Sequence, residues 1–209
     1  MKILRAALSI LLVTLILFSA RLLIDGAPTE TITGQSTRST VSPAEFSQPL
    51  GQALSRLTHK PFGLYVSPRR SPVNPERFTG YHTGVDFETW PDEQDKPVSV
   101  FAVCTGHLLQ KSWVKGYGGV AVQACTLNGR PITVVYGHLK LSSLAVQSDQ
   151  RLESGAKLAV LGTGFSTETD GERKHLHLGL HLGSTINLRG YVKTQAELKQ
   201  WLNAAEYLE

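Results

Sequence analysis

Short apolar runs separated by glycine-containing turns recur along the chain from about residue 50, and no other feature limits the possible folds as much. The runs have period two or are rich in β-branched residues, which indicates strands rather than helices. They cover residues 98–104, 119–125, 132–136, 157–161 and 176–182. Asn128-Gly129 lies between two of these runs and predicts a tight hairpin turn. We therefore predict an all-β core, either a sandwich or a partly open barrel.

Helical periodicity is strong only near the end of the sequence. Thr194 can cap a helix over residues 195–208, in which apolar side chains return to one face. A second, weaker helix is predicted over residues 43–57. The expected architecture is a β core flanked by a C-terminal helix.

The first 48 residues differ in character from the rest of the chain. A positively charged start precedes an apolar stretch over residues 6–24, so residues 1–25 are predicted to be a cleaved signal peptide or a retained signal anchor. Residues 26–48 are rich in Ser, Thr, Gly and Pro and are predicted to form a flexible linker. The folded domain then covers residues 49–209. We expect it outside the cytoplasm, in the cell envelope, the periplasm or secreted, with residues 6–24 as a possible single-span membrane anchor.

The amino-acid composition limits the kinds of metal site and binding partner that the chain can have. The 209 residues include two cysteines and seven histidines and carry a formal net charge of +4. Two cysteines exclude a cysteine-rich zinc scaffold, and outside the cytoplasm Cys104 and Cys125 are expected to pair. The mild positive charge suits contact with an anionic polymer without demanding nucleic acid, and we expect no nucleic-acid partner. Nothing in the sequence indicates an oligomeric state.

Residues that bind metals or transfer protons occur in three short motifs: His82 with Asp86, then His138, then His175 with His177. Because alternate residues of a strand face the same side, His175 and His177 project together. The Thr-Gly-Val between His82 and Asp86 argues against a helix. A turn or bulge at the intervening glycine could bring both side chains to one point.

The number of candidate ligands exceeds what one metal ion needs. A catalytic zinc ion uses three protein ligands and keeps a fourth position open, so two of the five residues would have acid–base or supporting roles. Nitrogen and oxygen ligands in an exported protein favour zinc over copper or an iron–sulfur cluster, although other divalent ions bind the same groups. Each motif alone is weak evidence, but the three together predict a metal site.

These motifs resemble those of the lysostaphin/LytM-type zinc endopeptidases. The segments that match in order and separation are residues 81–87, 136–139 and 175–178. The glycine-rich residues 118–122 and the segment 155–164 are also similar to the family pattern, and the resemblance covers roughly residues 60–192.

The resemblance implies an antiparallel β-sandwich that hydrolyses peptide bonds in the stem peptides or cross-bridges of peptidoglycan. It implies one Zn²⁺ bound by His82, Asp86 and His177. His138 and His175 are then the catalytic pair that does not bind the metal.

The chain departs from the family pattern in a few places. Leu178-Gly179 replaces the aromatic and acidic pair that is common after His-x-His, and His181 is an additional histidine. His181 shares the facing of the His-x-His pair, but we expect a structural role for it. Tyr117 and Trp113 flank a glycine-rich loop and are candidates for a groove wall or for core packing.

Two further functional hypotheses remain beside the peptidoglycan endopeptidase. A non-catalytic module of the same fold could bind peptidoglycan or activate another hydrolase. Such a module has no need for all five histidine and aspartate residues, which favours the enzyme. An enzyme acting on a secreted or cell-surface protein is the third hypothesis.

Overall fold

The structure is a computed structural model, and it describes residues 46–208. The signal peptide or anchor predicted over residues 1–25 lies outside the described residues, and so does the predicted linker as far as residue 45. Among residues 46–208, no helix is both long enough and apolar enough to cross a membrane.

Strands dominate the described part of the chain. The strands are β1 (Tyr65–Val66), β2 (Gly80–His82), β3 (Gly84–Glu88), β4 (Ser99–Phe101), β5 (Gly106–Val114), β6 (Gly118–Leu127), β7 (Arg130–Leu139), β8 (Arg151–Leu152), β9 (Lys157–Val160), β10 (His175–Leu182), β11 (Tyr191–Val192) and β12 (Trp201–Leu202). A single α-helical turn, α1, covers Gln195–Leu198. Short 3-10 helices cover Ala53–Arg56, Pro91–Glu93, Leu141–Ser143, Thr167–Thr169 and Ala204–Glu206.

A seven-stranded sheet forms the centre of the fold. Strands β10, β7, β6, β5 and β8 follow one another in that order, and β3 and β12 pair with the other edge of β10. β1, β2 and β11 form a three-stranded sheet, and β4 pairs with β9. All of these pairs are antiparallel. The prediction of an all-β fold is confirmed, and within the described residues the sheets do not close into a barrel.

The hairpin between β6 and β7 forms where the sequence predicts it. Leu127 pairs with Arg130, and the two turn residues Asn128 and Gly129 have φ of 51° and 74°. Two consecutive residues with positive φ define the type I′ turn, which Asn-Gly favours because its twist matches that of the strands. Each apolar run that was predicted to be a strand contains one. Strand β5 was not predicted, because none of these runs covers it.

Strand β10 separates the core from the opposite face of the sheet. Leu176, Leu178 and Leu180 are fully buried in the main hydrophobic core. The alternate residues His175 and His177 therefore point to the other face, where the polar groups collect. Strand β10 therefore contributes leucines to the core on one face and histidines to the polar cluster on the other.

The predicted C-terminal helix over residues 195–208 is wrong beyond its first turn. Thr194 does cap α1, through a reciprocal pair of hydrogen bonds with Glu197. The chain then extends, and Trp201 pairs with His181 and is 3% exposed. Hydrogen bonding to the free edge of β10 and burial of the indole outweigh the helical periodicity, which is only a weak preference. The helix predicted over residues 43–57 is likewise reduced to the 3-10 turn at Ala53–Arg56 in its described part.

The packed domain includes residues that the sequence assigned to the linker. Phe46 is 2% exposed, and its N–H donates to the carbonyl of Tyr207 at 2.9 Å. Ser47 N–H donates to the carbonyl of Val103 at the same distance. Phe46 and Ser47 therefore pack with the domain, because their backbone N–H groups are paired with it.

The predicted disulfide is also present. Cys104 and Cys125 are bonded, with their Cα atoms 6.2 Å apart. The bridge links the segment that follows β4 to the end of β6.

Candidate metal centre and active site

Strands β2, β3 and β10 bring the predicted metal-binding groups to one place. His177 of β10 lies opposite Asp86 of β3 on one edge and opposite Gly137 of β7 on the other. Directly opposite residues of an antiparallel pair share a face, so the Asp86 and His177 side chains meet. His82 ends β2, and the chain crosses from the small sheet into the large sheet at Thr83. This crossing, rather than a bulge at the following glycine, directs His82 to the same point.

The donor atoms of His82, Asp86 and His177 form a small triangle. His82 Nε2 lies 3.0 Å from His177 Nδ1 and 3.2 Å from Asp86 Oδ1, and His177 Nδ1 lies 3.1 Å from Asp86 Oδ1. All three residues are buried. Ligands of a tetrahedral zinc ion, each about 2.0–2.1 Å from the metal, lie about 3.3 Å apart. The triangle therefore has nearly the size that one metal ion requires.

The hydrogen bonds behind the triangle indicate which ring nitrogens can bind a cation. His82 Nδ1 lies 3.2 Å from the carbonyl oxygen of Pro61, which can only accept, so Nε2 of a neutral ring carries the lone pair. His177 Nε2 lies 3.3 Å from the Tyr117 hydroxyl, and donation from that nitrogen leaves Nδ1 free. Two lone pairs and a carboxylate oxygen then face one another, and a cation between them removes their repulsion. The donor set fits Zn²⁺.

The second oxygen of Asp86 is held by two other groups. Arg173 Nη2 donates to Asp86 Oδ2 at 2.9 Å, and His175 Nε2 lies 3.2 Å from the same oxygen. Burial raises the pKa of the Asp86 carboxyl, but the nearby histidines, His175 first and then His82, hold it well below its ordinary value of 3.8. Asp86 is therefore an anion at neutral pH.

A β-bulge in β7 aims His138 at this cluster. Strand β6 pairs with Gly137 and Leu139 but skips His138, whose φ is 62°. The extra residue breaks the alternation of the strand and redirects its side chain. The ring centroid of His138 consequently lies 4.2 Å from that of His175.

His138 and His175 are held differently. His175 Nδ1 donates to the carbonyl of Arg173 at 2.9 Å, so Nε2 is the atom that can exchange a proton. His138 Nδ1 is buried and has no hydrogen-bond partner among the described residues. Burial, followed by the proximity of His175, lowers the pKa of His138 well below 6.5, which favours a neutral ring. Two imidazoles thus stand beside the triangle, and among the described residues Nδ1 of His138 is unpaired whereas Nε2 of His175 contacts Asp86 Oδ2.

A cavity of about 220 Å³ opens on the site. Its lining includes Asp86, His177, His138 and His175, whereas His82 lies behind them and is 0% exposed. The structure thus brings all five predicted residues together. Four of them reach the cavity from which a substrate would approach.

Aromatic residues form the walls of the cavity. The ring of Tyr117 lies over Gly137, where an added Cβ would come within 2.5 Å of it, so only glycine leaves room for the tyrosine. On the other side, the ring of Tyr191 lies 5.2 Å from that of His82, and Lys60 Nζ donates to its hydroxyl at 3.0 Å. Tyr117 was a sequence candidate for a groove wall, and the structure places it there.

Several residues around the site had no sequence signal. Lys60 is paired with Glu76 at 2.6 Å, and both are almost fully buried, although neither belongs to a motif. Arg173 was missed because a charged residue before a strand ordinarily lies in solvent. Its proximity to the first-motif residue Asp86 arises only when β3 pairs with β10.

The remaining histidines do not line this cavity. His181 is buried against Trp201, with ring centroids 4.8 Å apart, as expected for a structural residue. His107 and His59 are partly exposed and lie near Asp149 and Glu88, respectively. Trp113, the second candidate for a groove wall, is 52% exposed and donates to the carbonyl of Thr167.

Comparison with protein-family models gives the class of protein. The model described as Peptidase family M23 matches residues 80–188, which is 109 of the 209 residues. The matched segment contains all five candidate site residues. The chain therefore belongs to peptidase family M23, and its predicted membership of the lysostaphin/LytM group of peptidases is confirmed.

One solved structure shows the same fold. The chain is similar to the catalytic domain of lysostaphin from Staphylococcus simulans, with 17% identity, a TM-score of 0.51, and coverage of 77% of this chain and 98% of that domain. It also resembles LytU, with 22% identity, a TM-score of 0.47 and coverage of 73% and 90%. A zinc-containing peptidase from Vibrio cholerae aligns with 22% identity, a TM-score of 0.40 and coverage of 66% and 37%. No curated protein matches the chain significantly.

Proposed function

We propose that the protein is a zinc-dependent endopeptidase that hydrolyses peptide bonds in the stem peptides or cross-bridges of peptidoglycan. The observation that carries this proposal is the triangle of His82, Asp86 and His177 donor atoms, with edges of 3.0–3.2 Å, beside two imidazoles that are not part of it. Membership of a peptidase family agrees with this chemistry.

His82, Asp86 and His177 would hold one Zn²⁺. When bound, zinc activates water and polarises the carbonyl of the scissile peptide bond. Two neutral imidazoles and one carboxylate leave the ion with a net positive charge, which suits both effects. The Pro61 carbonyl and the Tyr117 hydroxyl keep the two ligand rings in the required orientation.

His175 and His138 would move protons and stabilise charge. His175 is fixed through Nδ1 by the Arg173 carbonyl, so its Nε2 can take a proton from water, and Asp86 Oδ2 at 3.2 Å stabilises the resulting imidazolium. His138 is buried beside it and can donate to the oxygen of the scissile carbonyl as negative charge develops. The opposite assignment of these two roles uses the same geometry.

The location and organisation of the protein belong to the same proposal. A peptidoglycan substrate requires the domain to lie outside the cytoplasm, which agrees with the predicted export signal or anchor in residues 1–25. Residues 26–45 would then connect that segment to the packed domain. A single-span anchor over residues 6–24 would hold the site near the membrane and within reach of the cell wall.

Peptidoglycan digestion with and without a zinc chelator tests the proposal. The full-length protein, solubilised in detergent and shown to contain zinc, is incubated with purified peptidoglycan, and mass spectrometry detects newly freed amino groups. We expect new amino groups that disappear with chelator and return when zinc is added, and the fragment masses identify the bond. Intact peptidoglycan in the presence of zinc-loaded protein would favour the non-catalytic module or a protein substrate.

A further inference from the structure

Arg173 connects the metal triangle to a second carboxylate. Its Nη2 donates to Asp86 Oδ2 at 2.9 Å, and its Nε donates to Glu88 Oε2 at 2.9 Å. Nε and Nη2 also donate to Glu88 Oε1, so the guanidinium binds both carboxylate oxygens of Glu88. The side chains of Arg173 and Glu88 are 17% and 14% exposed, and that of Asp86 is 2% exposed. The contacts are therefore largely shielded from water and salt.

Because of this contact, the two carboxylate oxygens of Asp86 have different partners. Oδ1 faces the ring nitrogens of His82 and His177, whereas Oδ2 faces Arg173 and His175. A carboxylate without such a partner can rotate or bind a metal through both oxygens. With Oδ2 held, only Oδ1 is presented to the metal, and Glu88 keeps the arginine in place.

We propose that Arg173 is a positioning residue of the metal centre, which fixes Asp86 as a ligand through a single oxygen. The inference rests on the proposed zinc site and adds a residue that the three motifs do not contain. Arginine suits this role because its planar fork can bind two carboxylates at once, which a lysine ammonium does less well. The same residue also holds His175, through its backbone carbonyl.

Loss of the Arg173 charge and loss of its positioning contact should change the zinc affinity in opposite directions. Removal of a positive charge beside the site would by itself tighten the binding of a cation. Loss of positioning weakens binding, and loss of a group that supports a metal ligand typically costs about 10–100-fold in affinity or activity. A weaker zinc affinity in Arg173→Gln is therefore the signature of positioning, and Arg173→Lys separates the two effects because it keeps the charge.

The test measures zinc dissociation constants of the full-length protein by competition with a chromophoric chelator. We expect zinc affinity to fall at least tenfold in Arg173→Gln and to fall by a smaller factor in Arg173→Lys. Arg151→Gln is the control, because Arg151 also donates to a glutamate, Glu153, at 2.9 Å and pairs neither with the triangle nor with Glu88. We expect the control to bind zinc as the wild type does.

A second readout reports coordination directly. The visible spectrum of the cobalt(II)-loaded protein should lose its intense four-coordinate bands in Arg173→Gln, because Asp86 can then bind through both oxygens. An unchanged spectrum with unchanged or tighter zinc binding in both Arg173 variants would overturn the inference. A wild-type protein that binds no zinc would overturn the proposed function as well, and the wild-type measurement distinguishes that failure. If Arg173→Gln does not fold, Arg173→Lys decides by the same two measurements.

Discussion

At the scale of single residues, the site depends on which atom of each ring is left free. His82 and His177 turn different nitrogens, Nε2 and Nδ1, towards the triangle because the other nitrogen of each ring contacts a group outside it, the Pro61 carbonyl and the Tyr117 hydroxyl. His138 differs from both, because its Nδ1 is buried without a partner among the described residues. His138 also lines the cavity, where a substrate or water can pair with this nitrogen.

Alanine substitutions should separate the proposed metal-binding histidines from the proposed proton-transfer histidines. His177→Ala removes a proposed ligand, and we expect loss of both zinc and peptidoglycan cleavage. His138→Ala should keep one zinc ion per chain and lose about 10²–10⁴-fold in turnover, the usual contribution of an acid–base group. Metal analysis and the peptidoglycan digestion measure both effects, with the partly exposed His107→Ala as the control. Full activity of His138→Ala would remove its assigned role.

At the scale of secondary-structure elements, the pairing of β3 with β10 builds the site. Gly84 pairs with Gly179, two positions from the pairing of Asp86 with His177. A Cβ at Gly84 would lie 2.5 Å from the backbone oxygen of Leu178 and 2.7 Å from His177 Nε2. The close approach of the two strands thus requires glycine at position 84.

Gly84→Ala should therefore damage the site through the strand pairing. The backbone oxygen of Leu178 cannot move without shifting β10, so we expect a loss of about 1–3 kcal/mol in the free energy of unfolding, typical of overpacking. Zinc content should fall in parallel, because His177 shifts with the strand. Gly51→Ala is the control, since its Cβ would meet no atom within 4 Å. Denaturant unfolding and metal analysis measure the two effects, and equal values for both variants would contradict this account.

At the scale of the whole molecule, the chain before β1 is part of the domain's packing. Phe46 is buried in the main core, and its backbone bonds to Tyr207 near the opposite end of the described chain. The segment also supports the site, since the Lys60 carbonyl accepts from Asp86 N–H at 3.0 Å. The domain therefore needs residues that precede the matched family region.

Two truncated proteins test where the domain begins. A fragment that starts at residue 40 keeps Phe46, whereas one that starts at residue 49 loses it. We expect the shorter fragment to be less stable by at least about 1.5–3 kcal/mol, the contribution of one buried phenylalanine side chain. Calorimetric melting of both fragments beside the full-length protein measures the difference. Equal melting temperatures would mean that Phe46 contributes nothing to the packing.

The sequence by itself determined the features that depend on local chemistry. Alternation of apolar residues predicted strands, Asn128-Gly129 predicted the β6–β7 turn, and the three motifs contained all five residues that meet at the site. These predictions succeeded because side-chain periodicity and turn conformation involve residues that are close in sequence.

The tertiary structure decided what depends on distant partners. The C-terminal segment became β12 because the edge of β10 offered hydrogen bonds, and the bulge at His138 arose from its register with β6. Arg173 and Asp86 are 87 positions apart in the sequence, and they come into contact only because β3 pairs with β10. No local pattern specifies such contacts, because hydrogen bonding and burial between remote segments determine them once the sheet has formed.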